Sequence, residues 1–88
     1  MTNEDLFEEA VILVQNLDKK PTNNELLKLY GLYKQVKIGD NNTEKPDMFN
    51  LKGTMKWDYW MKEKGKDREV AMQDYIEYVV DLIKKYNK

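Results

Sequence analysis

The chain has no cysteine and no histidine among its 88 residues. Without thiols there can be no disulfide to staple a small core, which suits a reducing compartment. The commonest general base, the usual zinc ligands and the thiol nucleophile are missing with them. The carboxylates sit mostly at expected helix starts or on polar faces, so no paired acid–base couple stands out. No phosphate-cradling glycine loop and no helical metal motif appears either. This inventory argues against an enzyme and points to no metal and no cofactor. Arginine occurs once, at Arg68. Long apolar runs are lacking: the longest, Ala10 to Val14, is far too short to cross a bilayer, and no signal-peptide pattern is visible. The expectation is a soluble cytoplasmic protein. Strand-like alternation, internal repeats and low-complexity stretches are absent as well.

What is present fits one domain, 1–88, with one modest core. The net charge is −1, but it is spread unevenly. Met1 to Leu27 carries two lysines against six acids, whereas Lys28 to Lys66 carries nine lysines against five acids. The basic middle also holds most of the aromatic residues. A local basic zone on a near-neutral chain suits a compact anionic ligand better than a long polyanion. It is equally compatible with a solvated face.

Helical signals run along the whole chain. Thr2-Asn3-Glu4-Asp5 has the form of a capping box, and Phe7, Ala10, Val11, Val14 and Leu17 follow at helical spacing. Thr22-Asn23-Asn24-Glu25 is a second, cleaner box. It opens a helix through Leu26, Leu27, Tyr30, Tyr33, Val36 and Ile38, which Gly39 stops. Asp40 to Lys52 reads as a long loop of turn formers, with Met48, Phe49 and Leu51 expected to tuck inwards and anchor it. A third helix is expected from Gly53 or Thr54 to the Lys64-Gly65 turn. A fourth, capped by Asp67, carries the stripe Ala71, Tyr75, Val79, Leu82, Ile83 and Tyr86, with Lys84, Lys85 and Lys88 at its C-terminal end. The fold class is therefore all-α, a four-helix bundle with a long loop between helices 2 and 3. That loop is long enough for either an up-down or an overhand connection.

The most informative stretch is Leu29 to Asp40, LYGLYKQVKIGD. Tyr30, Tyr33 and Lys34 stand at i, i+3 and i+4, which gathers two phenols and an ammonium on one helix face. Lys56-Trp57-Asp58-Tyr59-Trp60 and then Ala71 to Ile76 follow. These three blocks, in this order, resemble the acyl-CoA-binding protein family over about Leu6 to Tyr86. The resemblance implies a bundle whose second and third helices run parallel. It implies a monomeric carrier of medium- to long-chain fatty acyl-CoA that meets acyl-CoA-using enzymes or membranes transiently and binds no nucleic acid. It also implies ligand contacts by Tyr30, Lys34, Lys56 and Tyr75. Ala10, Val14, Tyr33 and Gln35 match family positions near the nucleotide or at helix contacts.

A CoA thioester needs cations and hydroxyls for its phosphates, a flat platform for adenine and an apolar groove for its tail. Leu26, Leu27 and Met55 are candidates for the groove. Other roles stay open: Tyr75 can equally be core, Tyr33 structural, Gln35 a brace between helices, and one of Trp57 and Trp60 is expected in the core. Thr54 and Gln15 stand where the family often has lysine, Glu63 where it has an apolar residue, and Lys37 adds a charge that can compensate. Two rivals remain: a nucleic-acid module, disfavoured by the acidity and the lone arginine, and a helical protein-interaction module.

Overall fold

In the computed structural model, which describes residues 1–86, four helices form: α1 (Asn3–Gln15), α2 (Asn23–Lys37), α3 (Leu51–Met61) and α4 (Arg68–Tyr86). Both capping boxes are made. Thr2 accepts from the Asp5 N–H and the Asp5 carboxylate accepts from the Thr2 N–H; Thr22 and Glu25 do the same. Each box satisfies two amides that a helix start leaves unpaired. At the far end of α2, Gly39 takes φ 105°, and its N–H donates to the Lys34 carbonyl. Lys88, expected at the end of α4, lies outside the described residues.

Cross-helix contacts set the directions. Lys37 meets Glu8, whereas Val11 and Gln15, further along α1, wall one depression with Leu29 and Tyr30, earlier on α2, so α1 and α2 run antiparallel. Gln35 meets Lys66 while Glu25 meets Lys85, so α2 and α4 are antiparallel too. The Lys34 ammonium lies over Trp60 and the Lys56 ammonium over Tyr30, so α2 and α3 run parallel. The long second loop is the crossover that this parallel pair requires. Among the described residues α3 packs on α2 alone, whereas α4 packs on both α1 and α2.

Phe7, Ala10, Leu29, Leu32, Val36, Ala71, Met72, Tyr75, Val79 and Leu82 form the buried core. The sequence reading of α2 is corrected here. Its core side is Leu29, Leu32 and Val36, whereas Ile38 is exposed, because the helix ends at Lys37 and Ile38 turns away with the chain. Leu26 and Leu27 are half-buried, on the side facing α3.

The loop is held by polar groups. Fully buried Asn41 donates to the Trp57 carbonyl at 3.2 Å and accepts from the Thr43 N–H at 3.0 Å. The Trp57 indole donates to the Thr43 carbonyl and the Trp60 indole to the Gly39 carbonyl. Asp40 accepts from the Gly65 N–H and from Gln35, and these bonds, the Gly65 one foremost, lower its pKa. The expected apolar anchor is therefore wrong. Met48, Phe49 and Leu51 are 76%, 89% and 71% exposed. Asp47 explains why: its side chain accepts from the Phe49 N–H and its carbonyl from the Asn50 N–H, a tight turn that projects these side chains outwards. Asn50 then caps α3 by accepting from the Gly53 N–H at 2.9 Å. The helix thus begins at Leu51, earlier than expected, and ends at Met61; a turn carries the chain on to Gly65, at φ 88°.

Candidate functional site

Gly31 lets α3 approach α2. A Cβ there would run into the Tyr59 carbonyl, so only glycine allows this spacing. The close contact sets two blocks of sequence side by side. The Tyr30 ring has the Lys34 ammonium 5.7 Å and the Lys56 ammonium 5.2 Å from its centre. Lys34 also lies 5.4 Å from the Trp60 ring. Such contacts stabilise an ammonium only weakly, by about 0.5–1 kcal/mol when exposed. Neither lysine takes part in an ion pair among the described residues. Two half-buried cations thus converge on one phenol, and among the described residues no carboxylate pairs with either.

From Tyr30 a groove of about 510 Å³ runs between α2 and α3 towards their N-terminal ends. Leu26, Leu27 and Met55 line its middle, and Lys20, Asn23 and Lys52 its far end. With Lys56 it has three lysines and, among the described residues, no carboxylate along its wall. On the other side of Tyr30 is a smaller depression of about 260 Å³, walled by Val11, Gln15, Leu29, Tyr33 and Tyr75. Tyr30 belongs to both. The arrangement offers a charged centre with an apolar groove on one side and an aromatic bay on the other.

Tyr75 is both core and wall. It is 3% exposed, and its ring packs 4.9 Å from Phe7 and 6.5 Å from Tyr33. Burial pushes its phenol pKa up to about 12. Ala10 is buried with Phe7 in the core and Val14 packs against that core; neither lines the groove or the depression. Gln35 braces helices, donating to Asp40 and to the Lys66 carbonyl, each at 2.9 Å. Trp60 is buried and Trp57 half-buried. Lys37 does not supply a spare charge. It pairs with Glu8 at 2.7 Å, and this bond raises its pKa. Glu63 has a local reason to be charged, because Lys66 bridges it to Asp74 at 2.6 Å each. Lys20, Asn23 and Lys52 were not anticipated as groove residues. Lys52 stands four before Lys56, a same-face spacing that becomes meaningful once α3 starts at Leu51.

Comparison with known proteins bears on the family and the fold. A family model described as "Acyl CoA binding protein" matches residues 4–79. The chain is 52% identical over 82 residues to acyl-CoA-binding protein 2 of Saccharomyces pastorianus, covering 93% of this chain and 94% of that one. It is 48% identical over 80 residues to the acyl-CoA-binding protein homolog of Drosophila melanogaster, covering 91% and 93%. The crystal structure of Oryza sativa acyl-CoA-binding protein 2 superposes with a TM-score of 0.90 at 40% identity, over 96% of this chain and 93% of that one. The fold is the all-α bundle expected, and the chain belongs to the acyl-CoA-binding protein family.

Proposed function

We propose that the chain binds medium- to long-chain acyl-CoA esters one-to-one and acts as an intracellular carrier and pool former, with 1–88 working as a single binding domain. One observation carries this reading: two unpaired ammoniums meet Tyr30 where an apolar groove joins an aromatic bay. Tyr30, Lys34 and Lys56 hold the 3′-phosphate. Tyr33 and Tyr75, backed by Ala10 and Val14, wall the adenine side, and Leu26 and Leu27 cover the acyl tail. The protein works as a cytoplasmic monomer without cofactor or metal, and it carries rather than catalyses. It meets enzymes or membranes only to load and unload. Nucleic acid is not a partner: the groove is short, and the chain has a single arginine and a net charge of −1.

The test is a cycle of protein and ligand changes. A charge-assisted hydrogen bond contributes about 1.5–3 kcal/mol. Lys34→Ala is therefore expected to weaken palmitoyl-CoA roughly ten- to a hundredfold. The apo melting temperature should shift little, since the lysine has no ion pair to lose. Against 3′-dephospho-palmitoyl-CoA the same substitution should matter far less. Lys56→Ala should behave alike. Full additivity of protein and ligand changes for both lysines would remove the 3′-phosphate from this site.

A further inference from the structure

We infer that the Met48–Phe49–Leu51 tip is a docking surface for an anionic membrane, placed to bring the open tail end of the groove against lipid. The inference rests on the groove being an acyl site. Isolated exposed apolar residues are ordinary. Here three occur within four consecutive positions, and Met55, one helical turn beyond Leu51, continues the patch to the groove wall. Their exposure is built in. Asp47 closes the turn beneath Met48 and Phe49, and Asn50 caps α3 directly before Leu51. Folding has therefore fixed an apolar knuckle in water when a core was available to bury it.

The charges beside the knuckle select the occupant. Lys52 follows Leu51 directly and lines the groove with Lys20 and Lys56, and among the described residues no carboxylate lines it with them. Of the nearby acids, Asp47 is bonded to the Phe49 N–H, Asp58 lies 3.8 Å from Lys45, and Glu44 sits back along the loop. Apolar side chains that reach the acyl boundary, with lysines at headgroup level, are the elements of interfacial binding to anionic lipid. One short knuckle with a few lysines gives weak, reversible attachment, as a shuttling carrier needs. A protein partner would have to cover a convex tip with little area around it. A bilayer accepts it without a matching pocket.

The test uses the full chain and vesicles of phosphatidylcholine with and without phosphatidylserine. The apo protein should co-float with the phosphatidylserine vesicles and scarcely with the neutral ones. Phe49→Ser should reduce that partition roughly tenfold or more. Because the chain has no cysteine, Met48→Cys takes a single polarity-sensitive label, whose emission should shift to the blue on anionic vesicles only. Calorimetry with soluble palmitoyl-CoA should give the same affinity for Phe49→Ser as for the parent. Absence of partition, or equal partition of Phe49→Ser, overturns the docking surface. So does a matching loss of soluble affinity in Phe49→Ser, which would assign Phe49 to the ligand. Self-association that Phe49→Ser abolishes in sedimentation would also overturn it, in favour of a second copy. Failure of the acyl site itself would appear separately, as no calorimetric binding by the parent chain.

Discussion

Gly31→Ala should destabilise this protein, although helix propensity alone predicts the opposite. In a helix interior, replacing glycine by alanine normally stabilises by about 1 kcal/mol. Here the new methyl meets the Tyr59 carbonyl, a main-chain group of α3 that cannot rotate aside. Overpacking costs about 1–3 kcal/mol, and a clash this close with main chain belongs in the upper part of that range, about 2–3 kcal/mol. The net expectation is a loss of about 1–2 kcal/mol, or roughly 5–15 °C in melting temperature for a domain of this size. The relief route is also specific. Among the described residues α3 packs on no helix but α2, so it can yield by moving outwards. That movement carries Lys56 away from Tyr30 and widens the groove. Palmitoyl-CoA affinity should therefore fall alongside stability. Gly39→Ala is the control: its φ of 105° makes alanine costly, yet a Cβ there meets nothing within 4 Å. It should lower the melting temperature without widening the groove. Thermal melts and calorimetry on the two variants decide the matter. A Gly31→Ala protein that melts several degrees higher would refute the close approach of α2 and α3.

Glu25 holds α2 to the end of α4: its carboxylate accepts from Lys85 at 2.8 Å, from the Tyr86 hydroxyl and from the Thr22 N–H, and the Lys85 bond foremost brings its pKa down to about 2. A depressed carboxyl pKa contributes stability above its unfolded value near 4.5 and loses it as pH falls towards 2. Glu25→Gln should therefore melt lower than the parent at neutral pH, and the gap should close between about pH 4.5 and pH 2; a constant gap would mean that the charge is not the cause. Ligand should stabilise the native state: at a hundredfold excess over Kd the gain is about 2.7 kcal/mol, or roughly 10–20 °C. Fluorescence of Trp60, which lies under Lys34, should change at the same one-to-one point, and a melting curve unmoved by palmitoyl-CoA would count against the proposed function.

What the sequence revealed of the fold was local. Both capping boxes could be read because donor and acceptor lie three residues apart, and both form. The start of α3 was missed because Asn50 caps without a partner acid: Gly53 stands at the third position, so the box pattern is absent while the side-chain cap remains. The core side of α2 was misread because the helix has two apolar faces. Leu29, Leu32 and Val36 enter the buried core, while Leu26, Leu27 and Tyr30 line the groove, and a single stripe drawn through both fits neither. The loop was misread for a different reason. Burying a polar group normally costs energy unless it is bonded, so Met48, Phe49 and Leu51 were the natural anchors. Asn41 is buried instead, since the Trp57 carbonyl and Thr43 offer it partners. Such partners come from other turns of the chain and leave no periodic trace.

The candidate site divides along the same line. Tyr30 and Lys34 belong to one helix, so their spacing alone puts them on one face. Lys56 comes from another helix, and no periodicity can bring it to Tyr30; that step needed the family resemblance or the fold. Yet one residue bore the missing information. A glycine between two tyrosines inside a helix is costly, by about 1 kcal/mol against alanine, and it calls for a packing reason. Gly31 has one in the Tyr59 carbonyl. Taken as a mark of close approach, it requires another backbone to cross α2 between Tyr30 and Tyr33. The sequence offers one other short block dense in aromatic residues to do so, Lys56 to Trp60. Setting those two blocks together brings two ammoniums to one phenol with no acid between them. The packing that glycine permits and the charge that the ligand is proposed to neutralise are therefore two consequences of the same contact.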